Sequence, residues 1–269
     1  MRDVTAALDV LPGYRHPLPC FDVLIASLGH LMPRIRAIAR TAPSLPLGAV
    51  ALLSPVANPG KIVGAPVNYQ RHYDEVLASA DLHHNNPIAI IERAGLFLKA
   101  TSSLVGAGEA IVLRKLDRRT DHEIELAFVI GTTASHVTRT DALRYVAGYC
   151  IGLDITIRGA EERSLRKSPD SHSVLGPWLV TADEIPDPGR LGLRLSVNGS
   201  VRQESNTQDL ILGVPELIEY ASSFYTLFPG DIIFTGTPAG VGPIQPGDVI
   251  TASIDGIGTM EVRVQQEMR

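Results

Sequence analysis

The stretch from Asp121 to Gly131, DHEIELAFVIG, constrains this chain more than any other. Ile124, Leu126, Phe128 and Ile130 share one parity while Glu123 and Glu125 open the other, the period-two pattern of a β-strand with one face in a core. Residues two apart on a strand point the same way, so both carboxylates project into one space. Like charges side by side repel unless a cation lies between them. A solvent-washed strand face is the plainer account of a lone Glu-x-Glu. Asp154 competes with that account, because it interrupts the apolar run YCIGLDITI, where an unpaired buried carboxylate is costly. Three oxygen donors on neighbouring strands suit a hard cation such as Mg²⁺ or Mn²⁺ better than zinc.

Further strands are predicted at KIVGAPV, GPWLVT, LGLRLSVNG, DIIFTG, DVITASID and TMEVRV, separated by Gly and Pro turns such as the two PGD triplets at 229–231 and 246–248. Helices are predicted at TRTDALRYVAG, with Thr140 as N-cap, and at VPELIEYASSFYTL. Many irregularly spaced strands and few helices give a β-rich α+β fold rather than a regular βαβ alternation. Before it lies a small helical region. Leu24, Leu28, Leu31 and Ile35 recur at helical spacing, Pro33 marks a kink or boundary, and the Pro- and Ala-rich segment up to about residue 58 reads as a linker. The division is therefore 1–58, an N-terminal region and linker, and 59–269, the main domain.

Composition narrows the partners. Of 269 residues 45% are apolar, enough for a core, and 24 Lys and Arg against 29 Asp and Glu leave a net charge of −5. A basic stripe for nucleic acid is missing. The two cysteines, Cys20 and Cys150, form no metal or redox motif, and free thiols suit a reducing, cytoplasmic setting. The N-terminus lacks a secretory pattern, and the apolar stretch from Leu47 to Ala57 is interrupted and too short to span a bilayer, so no membrane partner is expected.

Four other segments carry candidate chemistry. In NYQRHYDE, His72 and Glu75 are three apart and share a face if helical; a histidine held by a carboxylate can deprotonate water, although an ordinary surface pair has the same spacing. In RSLRKSPDSHSVLGPW, Arg163, Arg166, Lys167 and Asp170 cluster in a loop, either solvated or delivering Lys167 to a developing negative charge. DIIFTGTPAGVGP lacks the GK[ST] ending of a phosphate loop, which leaves Thr237 in a tight loop or a plain turn. His83 and His84 lie in a polar stretch, Asp74 to Asn86, read as an exposed loop tip and a candidate lid. Trp178 is expected in the core.

Taken together, PGKIVGAPVNYQRHYDE, FLKATSSLVGAGEAI, DHEIELAFVIG, YVAGYCIGLDITIRG, RKSPDSHSVLGPWLVTADEI, VNGSVRQESNTQDLI and PGDIIFTGTPAGVGP resemble, in order, the fumarylacetoacetate hydrolase family. The resemblance implies a mixed β-sandwich or roll with few helices, a homodimer, and a bound Mg²⁺, Mn²⁺ or Ca²⁺. It implies Glu123, Glu125 and Asp154 as metal ligands, His72 and Glu75 as the water-activating dyad, and Lys167 as the active-site lysine. It also implies Arg158, Gln203, Thr237 and Asp170 as residues on the substrate side. The chain departs from the family pattern at Pro66 and Val67, before the dyad, and at Gly159 and Glu161, where family members carry an aspartate and a glutamine. A carboxylate at position 161 is expected to discourage a second carboxylate on the substrate.

The activity so implied is metal-dependent hydrolysis of a carbon–carbon bond in a 1,3-diketone or acylpyruvate, a small-molecule keto acid of aromatic or other catabolism. Decarboxylation of a 2-oxo acid, isomerisation or hydration of a 2-hydroxydienoate, and metal or ligand binding without catalysis are the competing readings.

Overall fold

The computed structural model describes residues 1–84 and 86–267. Its frame is a seven-stranded sheet, ordered Phe97–Lys99, Ile62–Gly64, Ile232–Phe234, Ile124–Ile130, Val146–Asp154, Ser173–Thr181 and Leu104–Gly106. The Ile124–Ile130 strand lies at its centre, antiparallel to both neighbours. A five-stranded sheet, ordered Ser200–Asn206, Gly192–Val197, Val249–Ile254, Gly258–Gln266 and Ile111–Leu113, packs against it. A small three-stranded sheet joins Gly242–Pro243, Thr120–His122 and Thr156–Ile157 at one end. The fold is the expected β-rich sandwich with few helices.

The alternation read from the sequence decides which way the central strand faces. Ile124, Leu126, Phe128 and Ile130 enter the main core between the sheets, together with Val174, Leu195, Ile250 and Ile254. Each such fully buried side chain contributes about 1.5–3 kcal/mol relative to exposure. The other parity is buried too, contrary to a solvent-washed face. Ala127 and Val129 pack with Cys150, Ile232, Phe234 and Ile25 in a second cluster. Glu123 and Glu125 continue that face beyond the cluster, and both are buried.

Ile25 belongs to the N-terminal helix Val23–Thr41. Asp22 caps it by accepting from the Ile25 N–H at 3.0 Å, and also accepts from Ala57 and Asn58 at 3.1 Å, fastening the helix to the chain that follows. The helix runs through Pro33 rather than stopping there. Ile25 packs on the sheet, Leu31 is buried, and Arg34 donates to the Ala6 carbonyl, so contacts on both sides of the proline hold the helix despite its missing donor.

Three other local expectations change. Thr140 caps nothing: only a 3₁₀ turn, Ala142–Tyr145, forms, because Val146 onward is taken into the sheet opposite Ile130 and Val129. Trp178 is 37% exposed and donates its indole N–H to the Ile257 carbonyl, as an amphipathic ring at a surface does. The Asp74–Asn86 stretch is mostly helical, in Gln70–Ala78 and Ala80–His83; its Asn85 lies outside the described residues. The helix VPELIEYASSF is present at Val214–Phe224. Among the described residues no helix is long and apolar enough to cross a membrane.

Candidate active site

Strand pairing brings the acidic residues together. Asp154 ends the strand antiparallel to Ile124–Ile130, with its N–H on the Glu123 carbonyl at 2.9 Å, and Gly152 lies opposite Glu125. One oxygen from each of Glu123, Glu125 and Asp154 lies within 4.8 Å of the others, and all three residues are buried. They open onto one cleft. His72, Arg158, Lys167 and Thr237 line the same cleft.

Buried carboxylates need compensation, and Lys167 provides much of it. Its ammonium donates to Glu123 at 2.7 Å, Asp154 at 2.6 Å and the Thr156 hydroxyl at 2.7 Å. Arg158 bridges Glu123 at 2.7 Å and Asp121 at 2.8 Å. Burial alone raises the Glu123 carboxyl, but Lys167, then Arg158 and His72, hold it well below the carboxylate range. Glu125 goes the other way: burial and the neighbouring Asp154 charge push its pKa well up, against Lys167 and the N–H of Gly236. That N–H reaches Glu125 at 2.6 Å from a turn at φ +95°, a conformation that glycine supplies.

Glu125 has no ion-pair partner among the described residues, so its carboxylate is the least compensated of the three. An all-oxygen set with one open carboxylate fits a hard divalent cation. The donor chemistry therefore agrees with the metal ligands that the sequence implies.

The dyad is formed. His72 Nδ1 lies 2.8 Å from Glu75 on the helix Gln70–Ala78, and the other Glu75 oxygen accepts from the Gly240 N–H at 2.8 Å. The carboxylate thus fixes the imidazole and is itself fixed by the glycine-rich loop. Pro66 and Val67 line the cleft beside His72 without displacing it.

The remaining substrate-side assignments divide. Arg158 lines the cleft. Thr237 does too, but its hydroxyl donates to the Ile124 carbonyl at 2.8 Å and accepts from Gln203 at 2.7 Å. Gln203 is fully buried outside the lining: its oxygen accepts from Ile124 N–H and pairs with His122 Nδ1, both at 3.1 Å, and its amide also reaches the Pro238 carbonyl. It ties the 237–238 loop to the central strand from outside the residues that line the cleft. Asp170 is also absent from the lining. The chain leaves the short helix Arg163–Lys167 through Ser168 and Pro169, and Asp170 pairs at the surface with Arg114 at 2.8 Å. The expected loop is a helix up to Lys167, and its next turn carries the aspartate outward.

Glu161 does not face the cleft either. Arg118 grips it through two bonds of 2.9 Å, a contact that holds its carboxyl down at about 2. Gly159 makes this possible, since a Cβ there would collide with Arg118 and Glu161. Gly159 thus leaves the space for a surface ion pair between Glu161 and Arg118, which keeps the position-161 carboxylate out of the cleft lining.

Two residues of the site escape the sequence argument. Lys99 is buried, pairs with Asp154 and donates to the His172 carbonyl at 2.7 Å. An isolated lysine sharing parity with Phe97 in FLK, with exposed Leu98 between them, was the available signal. His83, expected at a loop tip, lines the cleft from its helix.

His172 offers a test of the buried frame. Burial lowers its imidazole to about 4 against the bond from Nδ1 to the Asp170 carbonyl, and its Nε2 has no partner. The folded state keeps it neutral while the unfolded chain protonates near 6.5. Its contribution is complete above pH 6.5 and declines as pH falls toward 4, by about 3 kcal/mol. His172→Gln is expected to flatten that limb of urea-derived stability between pH 7 and 4.5; an unchanged slope refutes the assignment.

Comparison with known proteins agrees with this geometry. The chain is 60% identical over 267 residues to a maleylpyruvate hydrolase from Aquipseudomonas alcaligenes, covering 98% of this chain and 92% of the relative. It is 36% identical to a mitochondrial oxaloacetate tautomerase from Rattus norvegicus, over 84% of this chain and 72% of that one. The crystal structure of maleylpyruvate hydrolase from Sphingobium sp. SYK-6 in complex with manganese(II) and pyruvate superposes with a TM-score of 0.83, at 39% identity, covering 99% of this chain and 93% of that one. Residues 61–265 match the model of the fumarylacetoacetate hydrolase C-terminal domain, and the chain belongs to the fumarylacetoacetate hydrolase family.

Proposed function

We propose that this protein hydrolyses the carbon–carbon bond between the acyl and pyruvyl parts of an acylpyruvate, with maleylpyruvate as substrate and Mg²⁺ as resident cation, Mn²⁺ serving in its place. The observation that carries the reading is the opening of the carboxylate trio and the His72–Glu75 dyad onto one cleft. The named activity of the 60%-identical relative supports it, as does the pyruvate held with manganese in the Sphingobium structure.

Glu123, Glu125 and Asp154 would hold a divalent cation, which would supply Lewis acidity toward the 2-oxo acid end of the substrate. The protein's own groups carry the proton and the charge. His72, with Nδ1 turned to Glu75, takes a proton from water at Nε2. The resulting hydroxide adds to the acyl carbonyl carbon, and the bond from that carbon to the pyruvyl methylene breaks. Its electron pair moves onto the pyruvyl part as an enolate. The Lys167 ammonium, held against Glu123 and Asp154, adds positive charge beside the developing enolate, and the proton taken by His72 returns to the carbon to give pyruvate.

The two free cysteines support a cytoplasmic setting, and the family resemblance a homodimer. Incubating purified protein with maleylpyruvate is expected to release pyruvate and maleate in equal amounts, to stop after chelation, and to resume on adding Mg²⁺ or Mn²⁺. Carbon dioxide from oxaloacetate without any acyl-acid product, or enol–keto exchange alone, overturns the reading.

A further inference from the structure

We propose that Arg163 is the anchor for a second carboxylate, one carried on the acyl end of the substrate. The proposal rests on the reading above for the orientation of the acid, with its 2-oxo end toward Glu123, Glu125 and Asp154.

The cations lining the cleft differ in how fully they are engaged. Lys167 is taken by Glu123, Asp154 and Thr156. Arg158 is divided between Asp121 and Glu123. Arg166 donates to the backbone carbonyls of Glu161 and Ile157. The Arg163 guanidinium makes no hydrogen bond or ion pair with any described residue. Its neighbour Glu162 accepts instead from the Ser164 N–H at 2.6 Å. Arg163 rests its guanidinium against the Phe97 ring, 5.7 Å from the centroid, while Lys167 contacts the same ring at 5.3 Å.

Helix geometry relates the two sites. Arg163 and Lys167 are first and last residues of one short helix, four apart and so on one face, while Leu165 between them points to solvent at 68% exposure. Four residues advance about 6 Å along the axis. The uncommitted guanidinium therefore stands roughly one turn from the lysine that marks the reacting end, a separation that a chain of a few carbons covers. Its five fixed N–H donors match a carboxylate through two parallel bonds, and the aromatic ring beneath limits its motion. With Glu161 held away by Arg118, nothing acidic at that position opposes an anionic acyl group. The substrate class selected is an acylpyruvate whose acyl part is itself an acid.

The test compares two acids of equal length that the enzyme cannot hydrolyse: 2-oxoadipate, with a distal carboxylate, and 2-oxohexanoate, without one. Calorimetric titration is done on the Mn²⁺-loaded protein and on Arg163→Leu. Wild type is expected to prefer 2-oxoadipate by at least about tenfold, the size of one charge-assisted pair, and the variant to lose most of that preference. Arg163→Lys is expected to retain part of it. In turnover, the selectivity ratio of maleylpyruvate over acetylpyruvate is expected to fall in Arg163→Leu chiefly through KM. An absent preference in wild type, or one that survives the leucine, overturns the anchor. Equal losses for both acids indicate a structural role and overturn it too. Failure to hydrolyse any acylpyruvate removes the proposed function but leaves this binding result readable.

Discussion

Glu125→Gln is expected to reduce metal-dependent turnover on the order of 10³-fold, since a cation supplying several kcal/mol of charge stabilisation is worth about a decade for each 1.36 kcal/mol. The metal-free variant should nonetheless be at least as stable as its parent. Burial and Asp154 already disfavour the Glu125 charge, and a glutamine can keep the bond from Gly236 N–H. Asp154→Asn should differ. It leaves the ammonium groups of Lys99 and Lys167 without a charge that both contact, a loss on the scale of about 3–5 kcal/mol for a broken buried pair. Urea denaturation of the chelated proteins separates these effects, and calorimetric titration with Mn²⁺ reads the lost site. Parental activity and metal affinity in Glu125→Gln would falsify the assignment of that carboxylate as a ligand.

His72→Ala should lower kcat by about 10²–10⁴, the usual worth of a positioned general base, while Mn²⁺ affinity stays near the parental value. Glu75→Gln should cost a comparable amount, because an amide oxygen that accepts from Gly240 N–H leaves its NH₂ facing Nδ1, which places the imidazole proton on Nε2, the atom that must accept one from water. Lost Mn²⁺ affinity together with lost kcat in His72→Ala shows instead that the imidazole holds the metal site.

How much of this was written in the chain varies with the range of the interaction. The strand at Ile124–Ile130 and the shared direction of Glu123 and Glu125 follow from a two-residue period, and His72 with Glu75 from helical spacing. Both are local properties. The boundary reading of Pro33 and the Thr140 cap were equally local, and failed because packing of Ile25 and Leu31, and recruitment of Val146 into the sheet, outweighed a missing donor and a good cap. Asp170 and Gln203 carried the right motif positions, yet one turn past Lys167 sends the first to Arg114 and a buried network takes the second away from the cleft.

Sequence by itself determined which residue types the site would contain: three carboxylates, a histidine with its acid, and a lysine, on strands and helices of the right period. Only the tertiary structure decided their company. Lys99 meets Asp154 across 55 positions, Arg118 removes Glu161 across 43, and Arg163 is left facing the cleft with its donors open. Those outcomes depend on charges brought together from distant segments in a medium that screens them weakly, and no short-range pattern along a chain encodes such distances.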